Sequence, residues 1–175
     1  ATLTDIESRG DAAVRDLNEK FDGSSPTEFR LSESEIDALM NQVSARDMDD
    51  IKSAQEQVRK FAEAQRDSML DIEVEALPGV IPGHRKTPVQ SPGRYLSGGK
   101  SPVVASAHMS PLTASVAGVP RIVAATTPFK SEPSPAVIAA MEIGGAYQIY
   151  VLGGIQAIGA MALGTEMIKP VDMIV

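Results

Sequence analysis

Residues 150–165 read YVLGGIQAIGAMALGT, and this stretch decides the fold class. Its apolar start is typical of a buried strand, a glycine pair follows, and small residues at helical spacing then predict a helix. We expect the strand over residues 148–152 and the helix over residues 154–163. In parallel-sheet proteins, such a turn presents a helix N-terminus to a phosphate-bearing ligand.

The same alternation extends over the second half of the chain. Apolar strands are predicted at residues 94–96, 121–126, 148–152 and 171–175, and helices at residues 103–117, 135–143 and 154–163. Apolar strands that alternate with helices are typical of βαβ units and a parallel sheet. We therefore predict an α/β protein, in which N-terminal helices precede an incomplete Rossmann-like parallel sheet with flanking helices.

The first part of the chain predicts helices, because charge is dense there and glycine and proline are few. Capping boxes begin at Thr4 and at Ser32, each with a glutamate three positions later, and the second is expected to start a helix through Val43. A longer helix is expected over residues 46–70, with Phe61 on its apolar stripe.

Changes in composition divide the chain into three predicted parts. Residues 1–76 form an N-terminal helical segment, and residues 77–92, rich in Pro-Gly turns, form an extended or hairpin connector. Residues 93–175 form a Rossmann-like βαβ domain that is truncated at its C-terminal end.

Composition excludes several classes of function. The net charge of −7 argues against nucleic acid or an anionic membrane as the partner of the whole surface. The chain has no cysteine, so it has no disulfide, thiolate zinc site or thiol nucleophile, which fits a cytoplasmic protein. Neither a signal peptide nor a membrane span is visible, since the longest apolar stretch is interrupted by Gly153-Gly154.

Two glycine pairs, Gly98-Gly99 and Gly153-Gly154, follow predicted strands and are candidate ligand turns. Ligands of open α/β sheets bind beyond the carboxyl ends of the strands, where both pairs are expected. The alternative for either pair is a tight strand-to-helix turn without a ligand. Gln156 lies in the first turn of its helix, and its amide either pairs with a ribose or nicotinamide or is satisfied locally.

His108 is the remaining candidate for chemistry, as a ligand for an anionic substrate group or as a base. The alternative is a structural or exposed histidine on a helix of small residues. The two histidines, His84 and His108, do not have the spacing of metal ligands, and no catalytic triad is suggested.

The chain resembles the histidinol dehydrogenase family over essentially its whole length. The stretches that carry the resemblance are residues 9–12 and 20–22 (RGDA and KFD, as in the family), residues 95–99 (YLSGG, where the family has Y-x-P-G-G) and residues 153–165 (GGIQAIGA…GT, where the family has G-G-A-Q-A-I-A-A…G-T). Within the family, the SAHMS stretch at residues 106–110 is similar to the sulfopropanediol 3-dehydrogenase branch.

That resemblance implies an enzyme that oxidises a primary alcohol, sulfopropanediol or histidinol, to the carboxylate. The oxidation proceeds through an aldehyde by two hydride transfers to NAD, and zinc polarises the substrate. The resemblance also implies that Tyr95 and Gln156 contact NAD, with the two glycine turns beside the cofactor. His108 stands at a position that is small or aliphatic in histidinol dehydrogenases, and we hypothesise that it helps to hold a sulfonate.

Two departures from the family pattern matter. Ser97 stands where the family has proline, which leaves the loop less rigid. The family continues beyond Val175 with an NAD-contacting asparagine, the zinc ligands and a Glu-His general base. We therefore expect no catalytic or metal-ligating residue in this chain, which would be an inactive N-terminal portion of a homodimeric enzyme.

A second hypothesis is a non-catalytic module that binds a nucleotide or serves oligomerisation. An unfinished sheet with an exposed final strand edge favours pairing with another copy.

Overall fold

The computed structural model describes residues 1–23, 25–98, 101–129 and 132–175. Its helices are α1 (Thr2–Arg9), α2 (Asp11–Asp22), α3 (Glu33–Met40), α4 (Ala45–Ser68), α5 (Val104–Met109), α6 (Pro111–Val116), α7 (Pro135–Ile143) and α8 (Gly154–Leu163). Its strands are β1 (Ile72–Glu73), β2 (Gly83–His84), β3 (Pro92–Leu96), β4 (Val123–Thr126), β5 (Gln148–Val151) and β6 (Met173–Ile174).

A four-stranded parallel sheet in the order β5-β4-β3-β6 forms the centre of the fold. On the outer side of β5, the chain segment before α3 continues the pairing: the Leu31 N–H donates to the Ile149 carbonyl, and the Val151 N–H to the Phe29 carbonyl. The predicted α/β class with a parallel sheet is confirmed.

Helices cover both faces of this sheet. Val123 and Ala125 of β4 belong to the core cluster with α1, α2 and α8, whereas Ala124 between them belongs to the cluster with α4, α5 and α7. Alternate residues of a strand point to opposite faces, so a single strand of small apolar residues serves both cores. The N-terminal helices therefore pack on the helices that flank the sheet and share its two core clusters.

Three local expectations are corrected. Helix α1 begins at Thr2, so Thr4 lies inside the first turn and does not cap it, whereas the capping box at Ser32 is present. Helix α3 ends at Met40, before Val43. The helix expected over residues 103–117 is divided into α5 and α6, because Pro111 lacks the N–H that would continue the first helix.

An antiparallel hairpin, β1 and β2, follows α4. A further hydrogen bond, from the Val74 N–H to the Pro82 carbonyl, joins the two arms of the hairpin, and the chain reverses direction at residues 77–80.

Phe61, expected on a buried stripe, is exposed, whereas its neighbour Ala62 is buried. The C-terminal half of α4 packs on α6, where Arg66 donates to the Val116 carbonyl, and Phe61 lies on a side of the helix that no described residue covers. In the described part of the chain, no helix has the length and apolar character to cross a membrane.

Candidate functional site

The carboxyl ends of β3, β4 and β5 bring the first group of predicted site residues together. The Tyr95 hydroxyl, just before the end of β3, lies 2.8 Å from the Thr127 hydroxyl, just after β4. The Gly154 N–H, at the start of α8, donates to the same Tyr95 oxygen over 3.0 Å. Three adjacent strands of a parallel sheet thus converge on one tyrosine hydroxyl.

The carboxylate of Asp22, at the end of α2, lies at the N-terminus of α8. It accepts hydrogen bonds from the Gly153 N–H and from the Gln156 side-chain amide, the latter over 3.0 Å. A negative charge is stabilised at the N-terminus of a helix, where free N–H groups and the helix dipole both favour it. Asp22 therefore caps α8 from a distant part of the chain.

Gln156 is almost fully buried, with 1% of its surface exposed. Its amide nitrogen donates to Asp22, while its Oε1 atom has no hydrogen-bond partner among the described residues. A buried acceptor left without a donor costs free energy, and such atoms often mark the place of a ligand or a bound water. Of the residues predicted from the sequence, Gln156 has the clearest unmet bonding capacity.

Burial raises the pKa of Asp22 above its ordinary value, although the bonds from Gly153 and Gln156 act in the opposite direction. Both neighbours donate N–H groups, and the ionised carboxylate has two oxygens that can accept such bonds. The site therefore contains a partly desolvated carboxylate held by two donors.

The other predicted residues are placed differently. Gly98 is buried beside the end of β4, where an added Cβ would lie 3.6 Å from the Thr127 carbonyl oxygen. Gly99 lies outside the described residues. His108 lies on α5, which packs with α4 and α7 on the opposite face of the sheet from α8.

The surroundings of His108 favour its neutral form. The side chain is 9% exposed, its Nδ1 atom is buried without a hydrogen-bond partner in the described chain, and burial lowers its pKa. A neutral imidazole is a weaker ligand for an anion than an imidazolium. The sulfonate role of His108 stays a prediction.

Two residues of the site, Asp22 and Thr127, were missed. A signal for Asp22 does exist in the sequence, since a carboxylate in the last turn of a helix is unfavourable there and indicates a tertiary partner. Thr127 ends a strand and has a hydroxyl, which by itself does not distinguish it from other strand-end threonines. Among the described residues, no group of three or more His, Asp or Glu side chains is placed to hold a metal ion.

A separate open cavity of about 730 Å³ lies between α3, α7 and the start of β5. Its lining includes the carboxylates of Glu33, Asp37 and Glu142. Burial raises the pKa of Glu142, and the neighbouring charges of Asp37 and Glu33 raise it further. The cavity therefore has a local excess of negative charge.

We expect Glu142→Gln to raise the melting temperature at pH 7. The pKa of Glu142 is higher in the folded protein than in the unfolded chain, where it has the ordinary glutamate value of about 4.3. The folded protein therefore loses stability as the pH rises from about 4.3 through the raised pKa. The glutamine variant has no carboxyl group to ionise, so it should be more stable than the unsubstituted chain at pH 7 and gain less below about pH 4.3. Thermal unfolding between pH 3.5 and 8 measures the difference. An equal gain from Glu19→Gln, an exposed control on α2, would contradict the explanation.

Comparison with known proteins gives consistent matches over the whole chain. The family model described as histidinol dehydrogenase matches residues 1–175. A histidinol dehydrogenase homolog of Mesorhizobium japonicum is 50% identical over 98% of this chain, and the sulfopropanediol 3-dehydrogenase of Ruegeria pomeroyi is 39% identical over 94%. The crystal structure of histidinol dehydrogenase from Elizabethkingia anophelis superposes with a TM-score of 0.91 at 32% identity and covers 99% of this chain.

These relatives are considerably longer than the chain. The matched region makes up 34% of the Mesorhizobium protein, 38% of the Ruegeria enzyme and 40% of the Elizabethkingia structure. The similarity therefore concerns a minor part of each relative.

Proposed function

The chain belongs to the histidinol dehydrogenase family, and from that premise we propose that it contributes the cofactor side of an NAD-dependent dehydrogenase. The proposed substrate is a primary alcohol, either histidinol or sulfopropanediol, oxidised to the carboxylate in two steps. The observation that carries the proposal is the Oε1 atom of Gln156, which has no hydrogen-bond partner among the described residues, at the carboxyl edge of the parallel sheet.

The described residues fit NAD in two respects. Gln156 has an acceptor without a donor, and ribose hydroxyls and the nicotinamide carboxamide are donors of the required kind. Gly153 and Gly154 leave the backbone of the turn without side chains, and Gly154 is exposed. The turn is not arranged to bind a phosphate, because the first N–H groups of α8 already donate to Asp22 and Tyr95.

NAD, when bound, would accept hydride from the alcohol carbon. The chain's own residues would hold the cofactor in place. Tyr95, fixed by its bonds to the Thr127 hydroxyl and the Gly154 N–H, places its ring and hydroxyl beside the turn. Gln156 offers a hydrogen-bond acceptor. The described residues do not fit zinc, so we assign the metal no ligand and no step here.

Several finer expectations stay predictions. The absence of cysteine is consistent with a cytoplasmic location. The 175-residue chain is expected to be inactive by itself. NADH formation from either alcohol, with this chain and zinc, would contradict that expectation.

We expect Gln156→Ala to weaken NAD binding by about 10-fold, the effect of losing one well-placed hydrogen bond to a ligand. Binding is measured by titration of the ¹⁵N-labelled chain with NAD up to millimolar concentration. Gln148→Ala is the matched control, because Gln148 lies at the other end of β5, where it accepts from Arg121. Equal affinities of the two variants would contradict the placement of NAD at this edge.

Oligomerisation is a second candidate function, favoured by an exposed apolar surface on the hairpin. This hairpin patch consists of Met69, Leu70, Ile72, Val74, Leu77, Val80 and Ile81, which are between 46% and 67% exposed. Seven exposed apolar side chains within residues 69–81 are more than a surface free of partners usually carries in so short a segment, and they favour an interface. We propose a second copy of the chain as its occupant.

The double variant Leu77→Asp/Ile81→Asp is expected to be monomeric at concentrations where the unsubstituted chain is dimeric, because two buried charges without partners oppose association. Light scattering after size exclusion measures the mass. Met109→Asp is the control, since Met109 is similarly exposed on α5, outside the patch. A monomeric unsubstituted chain would contradict self-association and would favour the remainder of a longer protein as the occupant.

A further inference from the structure

The side-chain amide of Gln156 has a fixed polarity in this structure. Its Nε2 atom donates to Asp22 over 3.0 Å, and its Oε1 atom is buried without a partner among the described residues. An amide group has nearly the same shape in its two flipped orientations, so shape alone does not choose between them. The partner of one end therefore decides what the other end offers.

Asp22 makes that choice chemically. An ionised carboxylate accepts hydrogen bonds and donates none, so the amide must turn its NH₂ group toward Asp22. The Gly153 N–H also donates to this carboxylate, which places it at the positive end of α8. The carbonyl oxygen of Gln156 is then directed away from Asp22.

We infer that Asp22 is a positioning residue, which holds Gln156 so that it offers a hydrogen-bond acceptor, and that the bound group is therefore a donor. A ribose hydroxyl or a carboxamide NH₂ group of a dinucleotide satisfies this requirement. A phosphate oxygen, which only accepts, does not. This inference rests on the proposed function, and it names the chemical class of the group that Gln156 receives.

The inference is tested by reversing the polarity of the pair. In Asp22→Asn, one carboxylate oxygen becomes an NH₂ group, so the side chain can face Gln156 with either an acceptor or a donor, whereas the carboxylate offers only an acceptor. In the molecules where the asparagine donates, the glutamine flips and presents its own NH₂ group to a ligand donor. Because only the fraction with the original amide orientation binds, we expect NAD affinity to fall by at least about 2-fold.

The double variant Asp22→Asn/Gln156→Glu restores the original polarity. The introduced asparagine would donate from its NH₂ group to one oxygen of the introduced glutamate, whose second oxygen is again an acceptor. The pair also keeps one carboxylate in total. We expect this variant to recover most of the affinity lost by Asp22→Asn. A purely structural role for Asp22 does not predict this rescue.

The measurements are NAD titration of the ¹⁵N-labelled chain and thermal unfolding of each variant. Weaker binding by Asp22→Asn, recovery in the double variant and melting temperatures close to that of the unsubstituted chain support the inference. If the unsubstituted chain binds NAD and Asp22→Asn binds it equally well, or if the double variant recovers nothing, the inference is wrong and the proposed function stands. If the unsubstituted chain does not bind NAD, the proposed function fails, and the inference fails with it.

Discussion

Tyr150→Ala should destabilise the chain by about 3–5 kcal/mol, as for other large aromatic residues truncated in a core. Tyr150 lies in β5 beneath α2 and α8, with 1% of its surface exposed. Its hydroxyl donates to the Met167 carbonyl over 3.2 Å. Truncation removes the ring from the core and leaves both a cavity and a carbonyl without its donor. Urea denaturation measures the change in the free energy of unfolding.

Two variants separate the causes of this loss. Tyr150→Phe keeps the ring and loses only the bond to Met167, so it should cost about 1 kcal/mol. Tyr147→Ala, at a tyrosine that is 64% exposed just before the same strand, should change stability by at most about 0.5 kcal/mol. A loss below about 1 kcal/mol for Tyr150→Ala would show that this core is not the main source of stability.

Gly153→Ala should cost about 1–3 kcal/mol, the usual range for overpacking, and should weaken NAD binding as well. The backbone of Gly153 has a φ of −99°, which any residue adopts, so the obstacle is space and not conformation. An added Cβ would lie 2.8 Å from Asp22 Oδ2 and 3.0 Å from Thr127 Cγ2. Neither neighbour moves freely, because Asp22 is bonded to Gln156 and Thr127 to Tyr95.

Gly98→Ala is the matched control for this variant. Gly98 lies at the same edge of the sheet, but an added Cβ would meet no atom of the described residues closer than 3.6 Å. We expect its stability to be unchanged or slightly higher, because alanine restricts the unfolded chain. Urea denaturation and NAD titration of both variants give the comparison. Equal behaviour of the two glycines would contradict the crowding at Gly153.

The sequence predicted the elements that depend on local pattern. Helix α8 has the predicted bounds, and the apolar strands β3, β4 and β5 form the predicted parallel sheet. The capping box at Ser32 is present, because its bonds join residues three positions apart. The break between α5 and α6 was missed, since one helix was predicted over residues 103–117, although Pro111 is visible in the sequence and prevents a continuous helix.

The errors arise where spacing alone was used. Phe61 has the helical spacing of a buried residue, yet it is exposed, because periodicity gives a face of a helix and not the partner that covers it. Thr4 has the residue pattern of a cap, but α1 starts earlier, at Thr2. The predicted domain boundaries and the predicted cofactor contacts stay predictions.

By itself, the sequence determined the class of this fold, the turn at Gly153-Gly154 and the candidacy of Gln156, because periodicity and turn chemistry act over a few neighbouring residues. Only the tertiary structure decided that Asp22, 134 positions before Gln156, orients its amide. It also decided that Thr127 holds Tyr95 and that His108 lies on the other face of the sheet. Contacts of this kind depend on how distant segments pack, and a carboxylate 134 positions away leaves no mark on the local pattern around Gln156.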